Sequence, residues 1–198
     1  MAIYFISDTH FFHTKISQLR GFKTFEEHDE VLIRNINKRV KDNDDLYILG
    51  DVVMASNGKT WAENLPIVNQ LNGHKHLIVG NHDRCAPNNN NGHLHTKTFL
   101  DYFETVSDYV KLQYKGKTFM LSHYPYDETD AGFITAAANS SEYKQYQLRD
   151  LKVPVIHGHT HNQQMLTHSA SGTPQINVNV ESTNMKPITI ADIAKLID

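Results

Sequence analysis

The sequence predicts an α/β fold in which two packed mixed β-sheets are flanked by helices, and three observations lead to this prediction. Short apolar, β-branched runs alternate with helical patterns in the first half of the chain. Closely spaced strand pairs with glycine-containing turns follow in the second half, as expected for hairpins. Metal-binding side chains directly follow several of the apolar runs, where the strands of an open sheet would end at a common crevice.

The predicted elements of the first half are three strands separated by two helices. The first helix has an N-terminal signal, because Thr24 and Glu27 have the spacing of a capping box. The second helix ends before Gly73, since glycine suits the left-handed backbone that closes many helices. In chain order, the elements are strand Ala2–Ile6, helix Thr24–Lys41, strand Asp45–Leu49, helix Lys59–Leu71 and strand His76–Val79.

The second half predicts mainly strands. One hairpin turns at Lys115-Gly116, and a later hairpin turns within residues 169–174. A polar, partly helical segment, Asp127–Asp150, separates them. The predicted strands are Val106–Tyr114, Lys117–Leu121, Val153–Ile156, Gln163–Thr167 and Gln175–Val180, and a terminal helix follows over Ile188–Ile197.

Length and composition limit the class of protein. A chain of 198 residues predicts one domain spanning residues 1–198, since domains usually contain ~100–200 residues. The net charge of −3 disfavours a strongly basic nucleic-acid groove. Bound metal ions would nevertheless supply local positive charge for a nucleotide or a short oligonucleotide. Cys85 is the single cysteine, which excludes an internal disulfide.

The N-terminal sequence enters the first predicted strand at residue 2, so no signal peptide fits in front of it. The chain also contains no apolar run long enough for a membrane-spanning helix. We therefore expect a cytoplasmic protein without a membrane partner. The sequence gives no indication of the oligomeric state.

Metal-binding side chains are concentrated in five short segments, and each segment follows an apolar run that predicts a buried strand. Because the carboxyl ends of neighbouring strands meet at one crevice, we expect these side chains to converge. Their mixture of carboxylate, imidazole and amide suits divalent ions such as Mn²⁺, Fe²⁺, Zn²⁺ or Mg²⁺. The segments are Asp8-Thr9-His10, Gly50-Asp51, Gly80-Asn81-His82-Asp83, His123 and Gly158-His159-Thr160-His161.

The number of donors predicts two ions instead of one. Seven donors exceed the needs of one ion but suit two ions that share one bridging carboxylate. These donors are Asp8, His10, Asp51, Asn81, His123, His159 and His161. Two ions ~3.5–4 Å apart form a clamp for in-line displacement at phosphorus and lower the pKa of a bridging water towards ~7, which gives hydroxide at neutral pH. His82 is not needed as a donor, and a histidine beside a ligand can donate a proton to the leaving oxygen.

At these residues the chain resembles the calcineurin-like metallophosphoesterase superfamily. The family pattern D-x-H, G-D, G-N-H-D/E, H and G-H-x-H is complete and in order, from Asp8 to His161. The resemblance is closest to the small single-domain bacterial and phage members. It implies the αββα sandwich fold of that family and metal-dependent hydrolysis of phosphate esters.

The resemblance implies two groups of three ligands that share Asp51 as a bridge. The first donor group is Asp8, His10 and His161. The second donor group is Asn81, His123 and His159. His82 would be the acid or phosphate-contacting histidine. The protein-phosphatase branch continues its second block as G-D-x-x-D-R-G, whereas residues 50–56 lack the second aspartate and the arginine, which disfavours a serine/threonine protein phosphatase.

Four further residues are candidates for substrate contact, each with a simpler alternative. Arg84 follows the third block and would contact a substrate phosphate, or it is a surface arginine. His13 would orient the substrate or support a metal ligand. Tyr124 and Tyr126 follow a ligand and would stack on a nucleobase, or they pack in a lid or the core. His28 has no supporting spacing and is expected to be a surface residue or an incidental histidine.

These observations together predict a dinuclear metal-dependent phosphodiesterase acting on nucleotide-like or short nucleic-acid substrates. We expect two Mn²⁺ ions, with iron, zinc, nickel or magnesium as alternatives. One alternative function is a phosphomonoesterase acting on a small metabolite. A second is a binding module that uses the same fold without catalysis, which the presence of His82 disfavours.

Overall fold

The computed structural model describes residues 1–56, 58–126 and 143–198. Its first sheet is built from the early strands and one late strand. Four of its strands run parallel, and the last strand pairs antiparallel with the first. The strand order across the sheet is β10-β1-β2-β3-β4. These strands are β1 (Ile3–Ile6), β2 (Asp45–Ile48), β3 (His74–Ile78), β4 (Thr105–Ser107) and β10 (Ile188–Thr189).

The second sheet contains the remaining five strands of the described residues, in the order β5-β6-β7-β9-β8. Its three inner strands are parallel, and an antiparallel strand lies at each edge. The predicted class of two mixed sheets is therefore confirmed. The strands are β5 (Tyr109–Tyr114), β6 (Lys117–Ser122), β7 (Val155–His157), β8 (Leu166–His168) and β9 (Pro174–Asn177).

Helices flank the two sheets, and no helix among the described residues is long and apolar enough to cross a membrane. The α-helices are α1 (Thr14–Leu19), α2 (Phe25–Arg39), α3 (Trp61–Asn64), α4 (Thr96–Leu100) and α5 (Ile190–Leu196). Short 3₁₀ helices occur at Leu65–Gln70, Gly92–His95 and Lys144–Tyr146.

The core of the described residues has three clusters, and two of them use opposite faces of the first sheet because successive side chains of a strand point to opposite faces. On β1, Phe5 belongs to the layer between the two sheets, together with Phe119 and Ile156 of the second sheet. The next residue, Ile6, belongs to the layer between the first sheet and the helices, where it joins Leu32 of α2. Burial on both faces explains why the inner strands appear in the sequence as continuous apolar runs.

Two predicted helices differ in detail from the structure. The helix expected over Lys59–Leu71 consists of α3 followed by a 3₁₀ helix, because Pro66 has no amide hydrogen to continue the α-helical bonding. At the start of α2, Thr24 accepts a hydrogen bond from the amide of Glu27. The Glu27 carboxylate accepts from the amide of Lys23 instead of Thr24, so only half of the predicted capping box forms.

The predicted strand Val106–Tyr114 is divided between the two sheets. Its beginning is part of β4, which pairs with β3 in the first sheet, and the rest is β5, which pairs with β6 in the second. The chain crosses at the exposed Asp108. The helix α1 was not predicted, and Ile188–Thr189 form a strand before the terminal helix. Most of the predicted segment 127–150, including Phe133, lies outside the described residues.

Candidate metal centre

The five ligand segments follow the carboxyl ends of five strands, as predicted. Asp8, Asp51 and Asn81 follow β1, β2 and β3 of the first sheet, whereas His123 and His159 follow β6 and β7 of the second. Backbone hydrogen bonds join these loops: the Asp8 amide donates to the Gly50 carbonyl at 3.0 Å, and the Gly158 amide donates to the His123 carbonyl at 2.9 Å. The loops of the two sheets also meet, because the His159 amide donates to Asp8 Oδ2 at 2.9 Å, so both sheets contribute to one site.

Close backbone packing makes two glycines of these segments necessary. A Cβ atom at Gly158 would lie 1.9 Å from the Ser7 hydroxyl oxygen, and one at Gly80 would lie 2.3 Å from the Asp51 carboxylate. Neither distance is possible for a real side chain. The glycines of the G-N-H-D and G-H-x-H blocks therefore allow the ligand loops to approach one another.

The first donor group is assembled in the structure. The Nε2 atoms of His10 and His161 lie 3.2 Å apart. Asp8 Oδ1 lies 3.5 Å from Nε2 of His161 and 4.0 Å from Nε2 of His10. The three side chains each offer one donor atom within a space that fits one metal ion.

The second donor group lies beside the first, and Asp51 lies between them. Asn81 Oδ1 is 2.9 Å from Nε2 of His123, and the rings of His123 and His159 have their centroids 5.0 Å apart. Asp51 Oδ2 is 3.6 Å from Nε2 of His123 and 3.7 Å from Nε2 of His10. The position of Asp51 is the one expected of a carboxylate that is shared between two ions.

Two donor atoms of this cluster lack the partners that buried polar atoms normally have. Asp8 Oδ1 and His159 Nε2 are buried and form no hydrogen bond with any part of the chain that the structure describes. Burial and the nearby imidazoles hold the pKa of His10 and of His159 well below the usual value. Neutral imidazole is the form that binds metal, so these residues fit a divalent cation.

Two buried contacts fix the second donor group and the bridging loop. Nδ1 of His123 lies 2.7 Å from the Leu49 carbonyl, which assigns the proton to Nδ1 and leaves Nε2 as the donor atom. Asp83 accepts hydrogen bonds from the amides of Gly80, Asp51 and Val52 at 2.8–3.0 Å. Burial and the Asp51 charge raise the pKa of Asp83 to about 7. Asp83 therefore holds the loops and is not among the clustered donors.

A buried ionic network behind the first donor group was missed by the sequence analysis. Glu181 accepts from Nδ1 of His161, and Arg20 binds Glu181. His28 is completely buried and contacts Arg20, so its expected surface position is wrong. Glu181 could have been identified, because it is a carboxylate that directly follows the predicted strand Gln175–Val180. Arg20 and His28 carry no comparable local signal.

His82 and His13 both lie beside the first donor group. The ring centroids of His82 and His13 are 5.6 and 5.5 Å, respectively, from that of His10. The His82 side chain is exposed, while its amide donates to Asp51 at 2.8 Å. Nδ1 of His13 accepts a hydrogen bond from the Ile16 amide at the start of α1. Both side chains therefore border the crevice without belonging to the donor cluster.

The structure places the other substrate candidates differently. Arg84 is exposed. Tyr124 is buried and its ring packs edge-on against His123 and His159, at 4.9 and 4.7 Å between centroids. Tyr126 is only 1% exposed, and its hydroxyl donates to the Val153 carbonyl at 2.6 Å. Tyr126 therefore packs in the core, which is the second of its two predicted alternatives, and does not contact substrate, whereas Tyr124 borders the centre.

The fold and the converging Asp and His side chains together define a metal-dependent phosphoesterase. Comparison with known families agrees, because a family model of the calcineurin-like phosphoesterase superfamily domain matches residues 1–181. The chain belongs to this superfamily. The resemblance carried by the five sequence blocks is thereby confirmed.

Three relatives are similar over most of their length. The uncharacterized protein MJ1445 of Methanocaldococcus jannaschii is 32% identical over 99% of this chain and 91% of its own. The gene 66 protein of Mycobacterium phage L5 is 31% identical over 83% of this chain and 79% of its own. The crystal structure of AQ665 from Aquifex aeolicus is 33% identical, with a TM-score of 0.68 and 98% of both chains covered.

Proposed function

We propose that this protein is a dinuclear phosphodiesterase that hydrolyses nucleotide-like or short nucleic-acid substrates. The observation that carries the proposal is the position of Asp51 between two donor groups, 3.7 Å from His10 and 3.6 Å from His123. Six further donors lie around it, and buried atoms of Asp8 and His159 have no hydrogen-bond partner among the residues that the structure describes. One carboxylate bordered by two complete donor groups is the arrangement that a pair of ions requires.

The donor set determines which ions suit the site. Two divalent ions held there would polarise the phosphoryl oxygens and lower the pKa of a water nucleophile. Four imidazoles with two carboxylates and one amide suit Mn²⁺, which is our first choice. Iron, zinc and nickel, which bind imidazole well, and magnesium, which prefers the oxygen donors, are alternatives.

We assign the proton transfer to His82. Its exposed ring lies next to His10, and its backbone is fixed by the hydrogen bond to Asp51. From there the ring can donate a proton to the leaving oxygen of a phosphate ester. Arg84, two residues further along the same loop and exposed, would contact the substrate from solvent.

His13 can hold the substrate phosphate. Because its Nδ1 accepts the Ile16 amide hydrogen, the proton of the neutral ring lies on Nε2. A protonated Nε2 is a hydrogen-bond donor, and phosphate oxygens are acceptors. His13 therefore complements His82 on the side of the first donor group.

A cavity beside the second donor group supports a nucleotide-like substrate. Its volume is about 270 Å³, and Tyr124 lines it next to the ligand loops. The other lining residues combine apolar and aromatic groups with amide, hydroxyl and carboxylate groups, and among the described residues none of them is Lys or Arg. An uncharged base with hydrogen-bonding edges fits such a cavity better than a second phosphate does. The polar residues that line it include Asn88, Asp108, Gln145 and Gln147.

A hydrolysis screen of the Mn²⁺-loaded protein tests this function. The panel contains cyclic nucleotides, 2′,3′-cyclic phosphates, dinucleotides, and matched aryl phosphodiesters and monoesters. We expect turnover of diesters above monoesters, abolished by chelation and restored by Mn²⁺. A preference for monoesters would favour the phosphomonoesterase alternative. Binding of nucleotide without turnover of any ester would favour the binding module.

A further inference from the structure

A buried ion pair, Arg20 with Glu181, lies directly behind the first donor group. Oε1 of Glu181 is 2.9 Å from Nδ1 of His161. The same oxygen is 2.9 Å from Nε and 2.8 Å from Nη2 of Arg20. The Arg20 side chain is 6% exposed and that of Glu181 is 19% exposed. The pair is therefore shielded from solvent and is fixed to a metal ligand.

Arg20 also holds the loop that carries the other two ligands of this group. Its Nη2 donates to the Asp8 carbonyl at 2.8 Å, and its Nη1 donates to the Thr9 carbonyl at 3.3 Å. One planar guanidinium thus fixes the backbone around Asp8 and His10 and, through Glu181, the ring of His161. Lysine could not replace these contacts, because it offers a single charged atom on a flexible chain.

Helix α2 supports Arg20 from behind. Nη1 of Arg20 is 3.0 Å from Nε2 of His28. Nδ1 of His28 is 2.7 Å from Oδ1 of Asp29, so this proton lies on Nδ1 and Nε2 accepts from Arg20. Oδ2 of Asp29 accepts from the Phe12 amide at 2.9 Å. The network therefore contacts the ligand loop at two points, through Arg20 at Asp8 and through Asp29 at Phe12.

We propose that Arg20 and Glu181 are positioning residues that act selectively on the first of the two ions. The proposal rests on the dinuclear function proposed above. Glu181 orients the His161 ring so that Nε2, 3.2 Å from Nε2 of His10, faces the ion. It also neutralises Arg20, whose charge would otherwise repel a cation held by Asp8. His123 of the second donor group is instead held by the Leu49 carbonyl, which this pair does not touch.

Metal titration of the metal-free protein tests the proposal without any measurement of activity. Glu181→Gln keeps the shape of the side chain, removes its charge and leaves Arg20 uncompensated. We expect the affinity for one Mn²⁺ to fall ~10–100-fold, which is typical for loss of a partner that orients a metal ligand. The affinity for the other ion should change less than about twofold. Calorimetry with Mn²⁺ alone measures both affinities.

Asp150→Asn is the matched control, because Asp150 is also a hydrogen-bonded carboxylate but binds Ser169 and Thr173 near the β8–β9 turn. It should leave both metal affinities unchanged. Thermal unfolding of the metal-free proteins is measured in parallel. If Glu181→Gln lowers both affinities equally together with the unfolding temperature of the metal-free protein, Glu181 has a general structural role and the proposal is wrong.

The test separates this proposal from the proposed function. If the unmodified protein binds one ion only, the dinuclear function is wrong. The positioning role then predicts that Glu181→Gln weakens this single ion at least tenfold and that Asp150→Asn does not. If Glu181→Gln leaves every measured affinity unchanged, the positioning role is overturned whatever the number of ions.

Discussion

The two donor groups are supported by different kinds of interaction. Behind the first group, charged side chains form a buried network in which Glu181 binds His161 and Arg20 binds the ligand loop. Beside the second group, His123 contacts the Leu49 carbonyl, and Tyr124 packs against His123 and His159. One group is therefore held by charge and the other by backbone and aromatic packing.

This difference predicts different sensitivities to substitution. The Leu49 carbonyl belongs to the backbone directly after β2, so no side-chain substitution removes it. The support of the first group depends on individual side chains, and losing one leaves a buried charge without its partner, which costs several kcal/mol. Burial raises the pKa of Glu181, but the contacts with His161 and Arg20 have the larger effect and lower this pKa to about 2. Glu181 thus stays charged across the physiological range.

Asp51→Ala should have the largest effect, because Asp51 lies between both donor groups. We expect loss of both ions and a fall in hydrolysis to the background rate. Elemental analysis and the diester assay measure these two outcomes. Asp101→Ala, at an exposed carboxylate after α4, is the control. Retention of one full ion by Asp51→Ala would show that the two groups are independent and that Asp51 is no bridge.

His82→Ala should separate chemistry from metal binding, since His82 borders the first group without being one of its donors. Both ions should be retained, while turnover of esters with poor leaving groups falls ~10²–10⁴-fold, the usual contribution of a general acid. Esters with good leaving groups need less protonation and should lose less. Unchanged turnover with a poor leaving group would show that the proton comes from elsewhere.

Tyr124→Ala examines the aromatic support of the second group. Because Tyr124 also lines the cavity, nucleotide substrates should lose ~five- to hundredfold in kcat/KM, corresponding to ~1–3 kcal/mol of stacking. A small aryl diester should lose less, since it has no base. Tyr124→Phe keeps the ring and is the control. An equal loss for both substrates would assign Tyr124 to the support of His123 and His159 alone.

Asp150→Asn should have the smallest effect on function, because it changes stability only. Its carboxylate accepts from Ser169 and Thr173, and ionic hydrogen bonds of this type contribute ~1.5–3 kcal/mol each. Burial raises its pKa, but these bonds and Lys152 lower it to about 2. The stabilisation is thus present above pH ~4 and is lost as the pH falls towards 2. The urea midpoints of the unmodified protein and of Asp150→Asn should therefore approach each other as the pH is lowered. Hydrolysis at pH 7 should be the same for both proteins. A difference in midpoint that does not change with pH would show that the ionised carboxylate is not the cause.

The ligands could be predicted from sequence because each is part of a local pattern. In G-N-H-D, for example, the strand end, the small residue that allows close packing and the ligand Asn81 are adjacent. The supporting residues could not be predicted in the same way. Arg20 and Glu181 are 161 residues apart, and their contact depends on packing between elements that no periodicity describes.

The errors in the predicted strands and helices have a similar cause. A continuous apolar, β-branched run predicts a strand, but it carries no information about which sheet the strand joins. The run Val106–Tyr114 was therefore predicted as one strand, although the chain passes from β4 in one sheet to β5 in the other at Asp108. Pro66 was a local signal that could have divided the predicted helix Lys59–Leu71 correctly, because its effect on hydrogen bonding is independent of tertiary structure.

The backbone of the ligand loops has a consequence for the lifetime of the protein. Asp8, His10, Asp51, His159 and His161 have φ between 46° and 67°, a conformation that costs non-glycine residues on the order of 1–3 kcal/mol each. A bound ion offsets this strain, and at a free concentration 100-fold above its Kd it stabilises the fold by ~2.7 kcal/mol. The fraction of folded protein should therefore rise with the concentration of the metal ion. Resistance to cellular proteases should rise with it, so we expect faster degradation when the cell lacks the ion.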